Sequence, residues 1–157
     1  LVVALQRYGF RHDLDLTAAA QRAGRWLFEV YPHPAMVQIW RLDRIISYKK
    51  GGIDRKRAGL YVLREHLLRL AQPTHGLRQS ALLNEILTVD LQDLRGQRLK
   101  DYEDTLDAIF CAYLAWYCWR WGAERNEMFG TLDDGYIVVP RGSVQPGSGH
   151  GSSEKTK

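Results

Sequence analysis

The sequence predicts an α/β domain, and three observations predict it. Residues 26–31 are a short run of large and β-branched side chains closed by Pro32, His33 and Pro34, which reads as a buried strand giving way to a helix. Residues 54–70, 80–94 and 102–121 carry apolar side chains at helical spacing. Residues 136–139 (Tyr136, Ile137, Val138, Val139) read as a second short strand ended by Pro140.

In chain order, residues 1–8 read as the end of an amphipathic helix, with Leu1, Leu5 and Tyr8 on one face and Gly9 as the stop. Opening on Leu1 inside an apolar pattern suggests a fragment whose natural start is missing. Residues 16–25 suit a short helix around Ala18, Ala19 and Ala20, broken by Gly24 before the strand. Residues 34–40 form a helical turn or two on Met36, Val37 and Trp40. Gly51 and Gly52 mark a flexible turn. The helix at 54–70 is built on Leu60, Leu63, Leu67 and Leu70, and His66 beside that stripe reads as structural or solvated. The helix at 80–94 uses Leu82, Leu83, Ile86 and Leu87, with Arg95 and Gly96 as an interruption before the next helix. The helix at 102–121 is so rich in aromatic and aliphatic residues that most of it must be buried. Residues 126–135 read as a turn-rich loop. Residues 1–140 form one domain, and 141–157 a disordered Gly/Ser-rich tail.

Composition narrows the function classes. At 157 residues, 45% hydrophobic and 25% charged, the chain can bury one real core. No apolar run approaches the ~20 residues a membrane helix needs, so no membrane partner is expected. Cys111 and Cys118 lie seven positions apart on one helix, about 10 Å between Cα atoms, too far for a disulfide. Free thiols in apolar surroundings fit a core role and a reducing cytoplasm.

The net charge of +4 is mild, but its distribution is uneven. Residues 41–64 are basic, with Lys49, Lys50, Arg55, Lys56 and Arg57 bracketing the double glycine. Residues 85–107 are acidic. The first segment suits a polyanion and the second supplies carboxylates; two solvated helix faces are the plainer alternative. The Gly-rich basic loop matches neither the P-loop spacing nor the dinucleotide fingerprint.

Two kinds of carboxylate stand out. Glu29 sits in the apolar run near the carboxyl end of the expected strand, where open α/β sheets place ligands, and a buried Glu needs a partner. Asp104 and Asp107 lie one turn apart on one helix face. The helix macrodipole explains Asp104 near the helix start but not Asp107, which sits beside Leu106 and Ile109. Ala108, Cys111, Ala112 and Ala115 would let that face lie close against a sheet, with Asp107 pointing at it. Glu29, Asp104 and Asp107 together would suit Mg²⁺ or Mn²⁺, and such ions activate water for phosphodiester cleavage. His33 would contact a phosphate or cap the adjoining helix. Lys49 would neutralise phosphate or pair with Glu29 or Asp107.

Four separated pieces, in order, resemble the motifs of the DUF429 family: residues 28–34 (Phe-Glu-Val-Tyr-Pro-His-Pro), 45–51 (Ile-Ile-Ser-Tyr-Lys-Lys-Gly), 106–113 (Leu-Asp-Ala-Ile-Phe-Cys-Ala-Tyr) and 135–140 (Gly-Tyr-Ile-Val-Val-Pro). That family is described as predicted nucleases with a ribonuclease H-like fold. The Asp-x-x-Asp-Ala pattern at 104–108 also resembles the last helix of bacterial Holliday-junction resolvases, which share the fold. The resemblance implies a divalent-metal-dependent nuclease with Glu29 as the strand ligand, Asp107 as the last-helix ligand and Asp104 as its second. It implies a nucleic-acid substrate steered by His33, Lys49, Lys50, Arg55, Lys56 and Arg57. It also implies an incomplete fold, because the first three strands of a ribonuclease H-like sheet, with the Asp on the first, have no counterpart here. The alternatives are a non-catalytic nucleic-acid-binding module of the same fold and a protein-interaction domain using Trp116, Trp119 and Trp121.

Overall fold

The computed structural model describes residues 1–12, 15–16, 24–71, 77 and 80–142. The elements, in order, are α1 (Val2–Gln6), β1 (Phe10–Arg11), β2 (Arg25–Trp26), α2 (Pro32–Trp40), α3 (Ile53–Leu70), α4 (Ala81–Leu87), a 3₁₀ turn (Leu91–Asp93), α5 (Gly96–Arg125), β3 (Asn126–Thr131) and β4 (Gly135–Pro140). The chain is therefore mixed α/β and rich in helix, with two small sheets. β1 and β2 pair in parallel; β3 and β4 form an antiparallel hairpin in the register Asn126↔Pro140 to Thr131↔Gly135.

The expected strand at 26–31 breaks into two short pairings with different partners. Its start lies on β1, where the Leu27 N–H also donates to the Arg11 carbonyl at 2.8 Å. Its end makes a single parallel bridge from Val30 to Val138, with the Val138 N–H donating to the Glu29 carbonyl at 2.8 Å. Pro32 and Pro34 carry no N–H and cannot extend a ladder. The helix consequently starts at Pro32, two residues before the expected position, with Tyr31 as its N-cap residue.

The helix at 54–70 forms as α3 and begins at Ile53. Leu60, Leu63 and Leu67 are fully buried and meet Met36, Leu106 and Phe110 in the main core. His66 has a structural role, stacked on Trp40 at 4.5 Å between centroids. Gly59 lets α3 approach the 47–48 segment: a Cβ there would stand 2.3 Å from the Ser47 carbonyl oxygen.

The helix expected over 80–94 stops at Leu87. Ser80 caps its start by accepting from the Leu83 N–H. Beyond it, α3 supplies the donors that the backbone carbonyls would otherwise find in a continuing helix. Arg64 donates to the Val89 carbonyl at 2.6 Å, and Arg57 donates to the Gln92 and Leu94 carbonyls at 2.9 and 3.0 Å. Asp90 receives the Gln92 N–H and shapes the 3₁₀ turn.

α5 begins at Gly96, six residues before the expected start at 102. Gly122, at φ 47° and ψ −139°, breaks it near the expected end. Its buried face is Tyr102, Leu106, Phe110, Tyr113 and Leu114. Ala108, Ala112 and Ala115 are exposed, contrary to the expectation that this small-residue face packs on a sheet. The bulky side chains bury more apolar area against α2 and α3, so they claim the inner face. The segment expected to be a loop at 126–135 is β3 and its turn. Gly130 (φ 93°) and Gly135 (φ 92°) supply positive φ, and at Gly130 a Cβ would collide with the Gly135 carbonyl oxygen. The expected helix at 16–25 falls largely on residues outside those described, as does most of the expected tail at 141–157. No described helix is long and apolar enough to cross a membrane.

Candidate functional site

The site forms where α2, the 45–52 segment and α5 meet. α2 carries His33 in its first turn. The 45–52 segment carries Tyr48, Lys49 and Lys50. It is held against α3 by the close approach at Gly59. α5 presents Glu103, Asp107 and Cys111, four residues apart in turn and so on one face.

Asp107 is the centre. Its side chain is only 15% exposed, and both oxygens are engaged. The buried Tyr48 hydroxyl donates to Oδ1 at 2.7 Å, and Lys49 Nζ lies 2.5 Å from Oδ2. Lys49 thus pairs with Asp107, one of the two carboxylates open to it from sequence. Burial, and then donation to Asp107, pushes the Tyr48 phenol far above its usual range, so Tyr48 is a fixed donor. Burial raises the Cys111 thiol, and the Asp107 charge raises it further. Burial lowers the pKa of His33, and the Lys49 charge adds to that, against the weaker pull of Asp107 and Glu103. The His33 ring lies 5.2 Å from the Tyr48 ring, and its Nδ1 is buried with no hydrogen-bond partner among the described residues. His33 does not cap α2, whose N-cap residue is Tyr31.

A cavity of about 580 Å³ opens beside this cluster, lined by His33, Ser47, Lys49, Lys50 and Arg55 together with the apolar side chains of Tyr31, Ile45 and Ile46. Four of the six expected substrate-contact residues therefore share one cavity. Lys56 is half-buried on α3 and outside that lining. Arg57 is turned inward and 5% exposed; its guanidinium is committed to the 92–94 backbone, so it does not face a polyanion. Helical geometry explains the difference: two residues past Arg55, the side chain points to the opposite side of α3.

The expected carboxylates are not gathered in one place. Asp104 is exposed and paired with Lys100. Sequence reasoning missed Glu103, which is 4% exposed, also bonded to Lys100, and on the Asp107 face one turn earlier. The i, i+4 spacing of Glu103 and Asp107 was the available signal, masked by the run of acidic residues at the helix start. Glu29 is exposed rather than buried. It lines a separate shallow cavity against the β3–β4 hairpin, with Phe129, Gly130 and Tyr136. Its backbone, not its side chain, joins β4, because the run pairs only at Val30. Among the described residues no group of three or more His, Cys, Asp or Glu is placed to hold a metal ion.

The three tryptophans do not make one apolar patch. Trp116 packs on Tyr113 at 5.6 Å, and the guanidiniums of Arg120 and Arg125 both stack on the Trp121 ring, 4.4 and 3.6 Å from its centroid. Of the three, only Trp119 is exposed.

No curated protein and no solved structure matches the chain. One family model, described as a protein of unknown function (DUF429), matches residues 9–127. That span holds α2, α3, α5 and the whole cluster around Asp107, and the chain belongs to the DUF429 family.

Proposed function

We propose that this chain binds nucleic acid, seating the phosphodiester backbone in the cavity lined by His33, Lys49, Lys50 and Arg55. The observation that carries this reading is the convergence of those basic groups from α2, the 49–50 turn and α3 on one opening. A concave cationic wall with a glycine turn suits phosphate oxygens, which take charge-assisted hydrogen bonds from Lys and Arg. The free thiols of Cys111 and Cys118 suit a reducing, cytoplasmic setting for this activity.

Phosphodiester cleavage, with the ribonuclease H-like fold that the motifs resemble, is the second reading. It is favoured by the half-buried Asp107 next to the same cavity. Mg²⁺ or Mn²⁺ commonly takes one or two carboxylates and completes its shell with waters and substrate phosphates. Glu103 and Asp107 are the carboxylates on the α5 face that holds Lys49. Asp107 already holds Lys49, and the described residues bring no third ligand, so they do not by themselves form a metal site. Glu29 and Asp104 would join such a site only by rearrangement.

The test is anisotropy of labelled DNA and RNA oligonucleotides across a salt series, followed by cleavage assays. With Lys49 neutralised by Asp107, the two contacts from Lys50 and Arg55 give a slope of log K on log salt of about −1.4 for a single strand. Replacing Lys49, Lys50 and Arg55 by Ala together should abolish binding and flatten the slope. Binding that ignores those replacements would sink the proposal. Cleavage in Mn²⁺ that is lost with EDTA and with Asp107→Ala, and compared with Glu29→Ala, would promote the second reading; no cleavage by folded protein would leave a binding module.

A further inference from the structure

We infer that the site selects single-stranded nucleic acid, because the phosphate cavity is bordered by an exposed aromatic ring, Tyr31, and by an adjoining second cavity, surfaces suited to unpaired bases. This rests on the phosphate reading above and adds the substrate class. A second cavity, of about 620 Å³, lies between the 42–47 segment and α3. It shares Ile45, Ile46, Ser47 and Arg55 with the phosphate cavity, so the two adjoin across one strip of chain. Its remaining walls include Leu42, Ala58 and Val62, with Asp43 and Arg44 supplying polar groups. That is the usual make-up of a small-ligand site: apolar walls, a few polar groups and a volume within about 300–1,000 Å³. The lining of the phosphate cavity also includes Tyr31, 52% exposed, whose ring is T-shaped to that of His33 with centroids 6.0 Å apart.

The arrangement matches the chemistry of a flexible strand. A phosphate between Lys49, Lys50 and Arg55 leaves its flanking nucleosides within reach of Tyr31 and of the second cavity. One base meets the flat face of Tyr31; the other enters the aliphatic cavity beside the Arg55 guanidinium. Aromatic and guanidinium planes are the surfaces on which unpaired bases stack. In a duplex, each base has its faces covered by neighbours and its edge by its partner, so neither surface is accessible to it. Charge alone argues the other way, because duplex DNA carries twice the axial charge density of one strand. A preference for single strands therefore reports base contacts rather than charge.

The experiment compares three labelled probes of equal length in EDTA: oligothymidine, the same strand with abasic sugars, and a duplex. The expected result is tightest binding to oligothymidine, by about a hundredfold over the abasic strand, about tenfold from each of two base contacts, and by at least about tenfold over the duplex. Tyr31→Ala and Val62→Gln, both at exposed positions and neither altering charge, should each weaken oligothymidine binding by about tenfold and leave the abasic strand unchanged. Circular dichroism and thermal melts confirm that the variants fold. Equal affinity for all three probes, or a preference unchanged in both variants, overturns the inference while the phosphate reading stands. Absence of binding to every probe overturns both.

Discussion

At the scale of single residues, the interior polar groups are matched with unequal margins. Arg57 carries three hydrogen bonds to Gln92 and Leu94, while its ion pair with the exposed Asp54, at 3.9 Å, adds little. Arg57→Met keeps most of the buried stem and removes the donors. The 92 and 94 carbonyls then lose their partners, and an unsatisfied buried acceptor costs about 1–3 kcal/mol. A destabilisation of about 3 kcal/mol in urea unfolding is expected, with the 91–95 amides losing exchange protection first. A loss under about 1 kcal/mol would show that water takes over these bonds. The same scale explains what sequence reading misjudged. Arg55 and Arg57 look alike in a basic run, but they sit about 200° apart around α3, one lining a cavity and the other inside. Glu103 and Asp104 differ by one position, and one is buried while the other faces water.

At the scale of elements, the position of the site depends on how closely α3 approaches the 47–48 segment. Gly59→Ala places a methyl group against backbone atoms, with Ser47 O, Ser47 C and Tyr48 Cα all within 3 Å. Backbone cannot rotate away as a side chain would, so the segment must shift. Overpacking of this kind costs about 1–3 kcal/mol. The expected outcome is a lower melting temperature together with loss of the Tyr48–Asp107 hydrogen bond, read as a change in tyrosine ultraviolet absorption. A normal melting temperature with the tyrosine signal intact would mean that α3 has slack at this point. Elements with a strong helical period, α3 and α5, were legible from sequence because each buries a continuous face. The strand at 26–31 and the loop at 126–135 were misjudged because strands exist only through partners. Met128, Phe129 and their neighbours show no clear alternation, and β3 forms because β4 pairs with its whole length.

At the scale of the whole molecule, protonation is linked to stability through His33 and His66. Both have pKa values lowered below the usual 6.5 in the folded chain, first by burial, then by Lys49 for His33 and by Arg69 for His66. Above that value both histidines are neutral in either state and cost nothing. As pH falls through 6.5 the unfolded chain binds protons first, so stability declines until the folded pKa values are passed and then levels off. Melting temperature should therefore drop between about pH 7 and pH 5, and His33→Gln with His66→Gln should remove that part of the decline. A polyanion in the cavity favours charged His33, so it should reduce the drop; a wild-type profile flat across this range would refute the linkage.

The sequence by itself determined the mixed α/β class, the two long helices and the family, and it drew attention to Asp107, Lys49 and the basic turn. These rest on periodicity and local chemistry, which a linear string records directly. Tertiary structure alone decided that Glu29 stands in water, that Glu103 and not Asp104 shares the Asp107 wall, and that His33, Lys49, Lys50 and Arg55 meet around one opening. The physical reason is that burial and convergence depend on which helix face wins the core. That competition is settled by apolar area summed over α2, α3 and α5 together, not by any one segment.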